Sequence, residues 1–331
     1  MKRFIALAII ALALGSANVL AQQVIVIKFS HVVAEQTPKG KAALKFKELA
    51  EQMTKGRVKV EVYPNSSLFK DGEEMEALQL GSVQMLAPSV AKFGPLGVRE
   101  FEVFDLPYVF DNFDEMHKVT NGRVGAGLFK KLEGKGIAGL AFWDNGFKVM
   151  SANKPIRVPA DYKGLKLRIQ SSKVLGDQIK ALGAIPQVMA FSEVYQALQT
   201  GVVDGTENPP SNFYTQKMQE VQKYLALTNH GVIEYAVIAN KKFWDGLPAD
   251  VRGALTNAMK DATKFANDIA KKENDDALDA VRKSGKTEIL TLTAAEKAAM
   301  KKALVAVHKE NESRVGKEIL AEVYKETGFK P

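Results

Sequence analysis

The chain has 331 residues, with 46 Lys and Arg against 38 Asp and Glu, a net charge of +8, four His and no Cys. The absence of Cys excludes a disulfide framework, an iron–sulfur cluster, a thiol nucleophile and a Cys-based zinc site. At 46% apolar and 25% charged residues, the composition is that of a globular chain long enough for about two domains, not of a disordered one.

Lys2 and Arg3 precede an apolar run over residues 4–14 and a small-residue site ending at Ala21. This is the three-part layout of a secretory signal peptide. The 11-residue run is shorter than the about 20 residues that span a bilayer. Residues 1–21 are therefore expected to be cleaved after Ala21. Loss of Lys2 and Arg3 lowers the charge from +8 to +6. No Cys follows the site to carry a lipid anchor, and no later segment is apolar enough to cross a membrane. An exported chain without Cys depends on its packed core.

Residues 24–29 form a β-branched run that reads as a buried strand. Thr37 and Pro38 then open a helix as N-cap and first helical residue. Its apolar stripe runs Ala42, Ala43, Phe46, Leu49, Ala50 and Met53, and Gly56 ends it. Val58, Val60 and Val62 alternate with Lys59 and Glu61 as a half-exposed strand, followed by a turn over 64–67. A helix over 73–80 starts at Glu73-Glu74, read as a solvated helix start. A strand over 83–87 ends at Pro88-Ser89. This β-α-β-α-β order is that of a parallel sheet covered by helices.

The pattern repeats. Strands are expected over 139–142 and 148–151, split by Asp144-Asn145-Gly146. Then come a strand over 165–170, a helix over 173–182, a strand over 184–189 and a helix over 192–198. Val202-Val203 reads as a strand stopping at Asp204-Gly205, and 232–239 as another. The fold class is α/β, in two lobes that part near residue 145. From 248 to 284, Val251, Leu255, Met259, Ala262, Ala266 and Ile269 keep helical spacing, continued weakly by Leu278 and Val281. This is either one helix of about 55 Å spanning both lobes or two helices broken near Asn274-Asp275-Asp276. A strand over 287–292 follows, and Thr293 with Glu296 makes a capping box.

Signs of catalysis are missing. His31, His117, His230 and His308 are scattered, with no H-E-x-x-H or G-x-S-x-G pattern. The glycine runs at 122–127 and 284–287 lack phosphate-loop spacing and read as turns. Basic residues are dispersed among acids, with no basic aromatic stripe, so the net charge does not indicate nucleic acid. What remains are polar and cationic groups near the predicted strand ends, where open α/β sheets bind ligands. These are His31, Ser89, Asn145, Lys148, Arg168 and Asn208. Arg168 shares a strand face with Lys166 and Gln170, opposite Leu165, Leu167 and Ile169. By pattern alone that face is either solvated or turned to a ligand.

Gly164-Leu-Lys-Leu-Arg168-Ile-Gln170 and the gapless block from Met189 through Phe191, Tyr195 and Asp204 to Glu207-Asn208-Pro209 resemble the TRAP-transporter solute-binding proteins of the DctP family. The resemblance covers essentially the whole mature chain. Ser30-His-Val-Val-Ala34, Thr37-Pro-Lys-Gly40 and Trp143-Asp-Asn-Gly-Phe-Lys148 are similar to its four-carbon dicarboxylate branch. The resemblance implies a two-lobed periplasmic binding protein fold with a long helix spanning both lobes. Lobe I is expected from 22–145 plus about 234–273, and lobe II from 146–233 plus about 274–331. It also implies a receptor with no enzymatic activity and no cofactor, which passes an organic acid to the small and large permease subunits; a monomer is expected, with dimerisation left open by the sequence. Arg168 is implied to bind the ligand carboxylate and Asn208 to steady it. Lys148 stands where sialic-acid-binding members carry a second Arg. A Lys is a point charge rather than a planar fork, which weakens a sugar-acid assignment and leaves room for a second carboxylate. Ser89, His31, Lys39, Lys92, Phe191 and Asn145 are further candidates; Lys39 and Lys92 read equally well as surface charges, and Phe191 as core. The expected ligand is of the succinate, malate or fumarate type, with a keto, aromatic or sugar acid as the alternative.

Overall fold

The computed structural model describes residues 24–331; the expected signal peptide and its cleavage site lie outside the described residues. In chain order the strands are β1 (Ile25–Ser30), β2 (Val58–Tyr63), β3 (Met85–Leu86), β4 (Ile137–Phe147), β5 (Val149–Ala152), β6 (Lys166–Ile169), β7 (Ile185–Val188), β8 (Gly205–Asn208), β9 (Tyr224–Ala226), β10 (Val232–Asn240) and β11 (Glu288–Leu290). They form two sheets, each the centre of one lobe. The lobe I sheet has the order β2-β1-β3-β10-β4, and the lobe II sheet β11-β9-β5-β8-β6-β7. In lobe I, β1 is parallel to β2 and β3, whereas β10 is antiparallel to β3 and β4. In lobe II, β6 is parallel to β7 and β8, and β5 is antiparallel to β8 and β9.

The lobe I sheet is covered on both faces. Ile27 and Phe29 pack with Ala42, Ala43 and Phe46 of the helix Pro38–Met53 on one side. Leu86, Ala236 and Ile238 face Phe93, Phe101 and Leu128 on the other. All nine residues of β10 are buried, as expected of a strand with helices on both sides. The chain crosses from lobe I to lobe II at Lys148, between β4 and β5, and returns through 227–231.

The third crossing is a helix of 36 residues, Ala249–Ser284, about 54 Å long at 1.5 Å per residue. It is unbroken. Val251, Leu255, Met259 and Ala266 pack in lobe I, and Val281 packs in lobe II. At the expected break, Asn274 is buried and fully used. Its Nδ2 donates to the Asn145 carbonyl at 2.6 Å and to the Ala270 carbonyl at 2.8 Å, and its Oδ1 accepts the Ser211 N–H at 3.0 Å. One side chain thus ties the helix to β4 and to the lobe II helix Pro210–Thr215. Gly285, at φ 65°, ends the helix.

Four readings need correction. Asp144-Asn145-Gly146 is no turn; it lies inside β4, paired with β10 through a register shift at Ile233/Glu234. Asp144 and Asn145 stay in the strand because their side chains find partners, His117 Nε2 at 2.7 Å and the Tyr235 hydroxyl at 2.9 Å. Gly146 is required because Asn274 presses on it: a Cβ there would lie 2.6 Å from the Asn274 amide. Val202-Val203 precedes the strand, which begins at Gly205, where the Ser151 carbonyl leaves no room for a Cβ. The glycine run at 122–127 begins a helix, Arg123–Glu133, with Gly122 as its N-cap. The final helix, Lys317–Thr327, placed by expectation on lobe II, packs Leu320 and Val323 into the lobe I cluster with Val119 and Leu128. Gly316, at φ 93°, gives the turn that brings it back.

Candidate ligand-binding site

The lobe I wall begins with Lys39, in the first turn of the helix capped by Thr37, whose side chain accepts the Gly40 N–H at 3.1 Å. Lys39 Nζ donates to the Ala87 carbonyl at 2.8 Å and sits 3.6 Å from the centre of the Tyr235 ring. Burial, then the charge of Lys92, lowers its pKa to about 7. His31 is fully buried and both ring nitrogens lack a partner. Burial, then the charge of Lys39, lowers its pKa to about 3, so it is neutral. Ser89 caps the short 3-10 turn Val90–Lys92 by accepting the Ala91 N–H at 3.4 Å. That turn delivers Lys92 to the cleft, where it pairs with Asp71 and Glu74. Burial disfavours the charged ammonium, but the two carboxylates outweigh it and raise its pKa. Glu74, read as part of a solvated helix start, is buried in this cluster; burial raises its pKa. Asp71 also loses solvation, yet the charges of Lys92 and Arg168 bring its pKa down to about 2.

The lobe II wall is built on β6 and β8. Leu167 and Ile169 enter the core, and Arg168 between them turns to the cleft, 2% exposed. Burial lowers its pKa against the opposing pull of Asp71 and Glu207, and a guanidinium this basic stays charged. Its Nε and Nη2 donate to the Met189 carbonyl at 3.1 and 2.8 Å. This fixes the plane of the group and leaves the Nη1–Nη2 edge free for a carboxylate. The Phe191 ring centre is 5.5 Å from Cζ, within cation–π range. Asn208, at the end of β8, donates to Thr206 Oγ1 at 3.3 Å.

These walls enclose a cavity of about 20 Å³ lined by Ser89, Lys92, Asp71 and Tyr235 from lobe I and by Arg168, Gln170, Phe191, Asn208 and Asn212 from lobe II, with Val32, Val33 and Ile233 supplying apolar surface. That is room for about one water. A larger groove of about 490 Å³ lies at the hinge, lined by Phe113, Phe147 and Leu278. Its charged residues Asp111, Asp114, Lys271 and Asp275 are exposed, and Lys271 pairs with Asp275 at 2.5 Å. The buried cations converge on the smaller cavity.

Of the residues singled out in the sequence, Arg168, Asn208, Ser89, Lys92 and Phe191 line the cavity. Lys39 lies behind it, against Tyr235, and His31 is buried within reach of the Lys39 charge. Asn145 is one layer back, donating to the Tyr235 hydroxyl and accepting from Ser211 Oγ at 3.1 Å. Lys148 stands apart from the lining and pairs with both oxygens of Glu207, at 3.0 and 2.9 Å. His230 Nε2 holds the same carboxylate at 2.8 Å. Burial pushes the Glu207 pKa up, but Lys148 and His230 outweigh it and lower it to about 2. Seven lining residues were missed: the apolar Val32, Val33 and Ile233, and Asp71, Gln170, Asn212 and Tyr235. Tyr235 is the polar-tipped residue of an apolar run, which was a usable signal; Asp71 in Lys70-Asp71-Gly72 and Asn212 after Pro209-Pro210 carried only turn signals. Among the described residues no cluster of His, Asp and Glu could hold a metal, and no helix is long and apolar enough to cross a membrane.

Residues 29–314 match the model of the bacterial extracellular solute-binding proteins, family 7. The chain belongs to this family. Among its family 7 relatives, it is 66% identical over 299 residues, 90% of each chain, to the C4-dicarboxylate-binding periplasmic protein DctP of Rhodobacter capsulatus. It superposes with a TM-score of 0.90, at 41% identity and covering 92% of this chain and 99% of the other, on a TRAP periplasmic solute-binding protein of Shewanella oneidensis with bound succinate. A TRAP periplasmic solute-binding protein of Pseudomonas aeruginosa with bound L-malate gives a TM-score of 0.84 at 42% identity, covering 86% and 99%. The family 7 fold is thus the two-lobed arrangement described above.

Proposed function

We propose that the protein is the periplasmic receptor of a TRAP transporter, which closes its lobes on a four-carbon dicarboxylate of the succinate, malate or fumarate type and passes it to the membrane permease subunits. It binds and releases the acid unchanged. The observation that carries this reading is the placement of Arg168 on lobe II and Lys92 on lobe I at one buried cavity. A diacid needs two cationic anchors. The free edge of Arg168 offers two parallel N–H donors to one carboxylate, at about 1.5–3 kcal/mol for each charge-assisted bond. Lys92, a point charge on a flexible stem, meets the other. The Tyr235 hydroxyl accepts from Asn145 at 2.9 Å and Asn212 at 3.2 Å, which leaves its own hydrogen to donate to the ligand. Val32, Val33 and Ile233 pack the carbon chain. Because the anchors sit on opposite lobes, bridging them favours the closed form, and exclusion of water strengthens both contacts. The hinge is assigned to Lys148, to 227–231 and to the long helix, the three crossings between the lobes.

The test is a thermal-shift screen of organic acids on ligand-free protein, with Arg168→Ala as control. A ligand at 100 times its Kd adds about 2.7 kcal/mol, a rise of several degrees. Four-carbon dicarboxylates are expected to give that rise with wild type and none with Arg168→Ala, which keeps the wild-type melting temperature within a few degrees. A rise with another acid class and none with these replaces the ligand; a rise retained in Arg168→Ala removes the site.

A further inference from the structure

Among the described residues, Asp71 is the only carboxylate in the cavity lining, and an anion is a costly neighbour for an acid ligand. Its position gives the reason. Asp71 also lines an outer vestibule of about 260 Å³, sharing that boundary with Lys92, Arg168 and Gln170. Its side chain therefore lies, with these three, on the boundary that the cavity and the vestibule share. It is held from both lobes. On lobe I it pairs with Lys92, and from lobe II it accepts the Phe191 N–H at 2.5 Å. Next to it, Lys70 reaches across the cleft to Glu193 at 3.2 Å.

We propose that Asp71 is the end wall of the ligand cavity and fixes the length of acid that the site accepts. This rests on the dicarboxylate reading above. Once the lobes part enough to admit it, a short diacid spans Arg168 and Lys92 on the inner side of Asp71. A longer one drives its far carboxylate onto that of Asp71, where it meets a steric stop and a like charge together. Removing the side chain joins the cavity to the vestibule and gives a longer chain somewhere to go.

The experiment is calorimetric titration of succinate and of the six-carbon adipate into wild type, Asp71→Ala, Asp71→Asn and Asp71→Ser. Wild type is expected to prefer succinate by at least roughly 100-fold, about tenfold for each of the two extra methylene groups of adipate. Asp71→Ala narrows that ratio at least tenfold, mainly by a gain for adipate. Asp71→Asn keeps the size and the bond to the Phe191 amide, and narrows it less. If Asp71→Ala does not fold, Asp71→Ser carries the test and also narrows the ratio. An unchanged ratio in the shortened variants overturns the proposal, as does an Asn variant as permissive as Ala. Wild type that binds succinate and adipate equally removes this inference and leaves the proposed function standing. Wild type that binds neither removes both.

Discussion

Lys92 and Lys148 are both buried lysines facing carboxylates, yet they are built for different work. Lys92 shares two carboxylates, Asp71 and Glu74, and keeps one side on a cavity between the lobes. Lys148 has one carboxylate, Glu207, already held by His230. Its stem is pressed by the backbone of Gly231, where a Cβ would lie 2.9 Å from Lys148 Cε. On the proposed reading, the difference teaches that a buried cation can anchor a ligand only where open space is left beside it. Where the partner set is closed, as at Lys148, the pair fixes the crossing from β4 to β5.

The largest effect expected from breaking this comparison is on stability. Glu207→Gln leaves the Lys148 ammonium buried without its partner and is expected to cost about 3–5 kcal/mol in urea unfolding; a loss under about 1 kcal/mol contradicts a closed pair. The same carboxylate has a pH signature. Its pKa in the fold is about 2, below the ordinary 4.5. Its contribution to stability is therefore present above about pH 4.5 and is lost as the pH falls towards 2, a loss missing from Glu207→Gln. Next, Asn274→Ala strips bonds from Ser211 N–H and the Asn145 carbonyl and is expected to cost about 1–3 kcal/mol; an unchanged urea midpoint contradicts its role as the tie between the lobes. The smallest effect sharpens the cavity side. Lys39 has a pKa of about 7, and a bound dianion favours its charged form. Affinity for succinate is expected to fall about threefold as the pH rises from 6 to 8.5, and a rise over that range contradicts it.

Local signals made the helix Pro38–Met53, the capping box at Thr293 and the alternation around Arg168 legible in the sequence, because each rests on neighbours a few residues apart. The long helix was ambiguous at Asn274-Asp275-Asp276, since the partners of Asn274 lie 129 and 63 residues away. Asp144-Asn145-Gly146 misled for the same reason: three turn-forming residues are kept extended by His117, Tyr235 and Asn274. Within the site, Arg168 and Asn208 were legible from their motif. Lys92 against Lys148 was not, because both are lone lysines next to strands, and only the fold shows which one Glu207 has claimed. Asp71 was hidden by its turn-like neighbours.

The central claim is that the diacid is clamped by Arg168 and Lys92 while Lys148 serves the hinge. Calorimetric titration of succinate into Lys92→Met and Lys148→Met, at a temperature where both are folded, tests it most directly. Lys92→Met is expected to lose at least about 30-fold in affinity, the lower end for truncating one member of a buried charge pair. Lys148→Met is expected to bind within about threefold of wild type while unfolding at lower urea. Near-normal binding by Lys92→Met, with binding lost in Lys148→Met, would contradict the account.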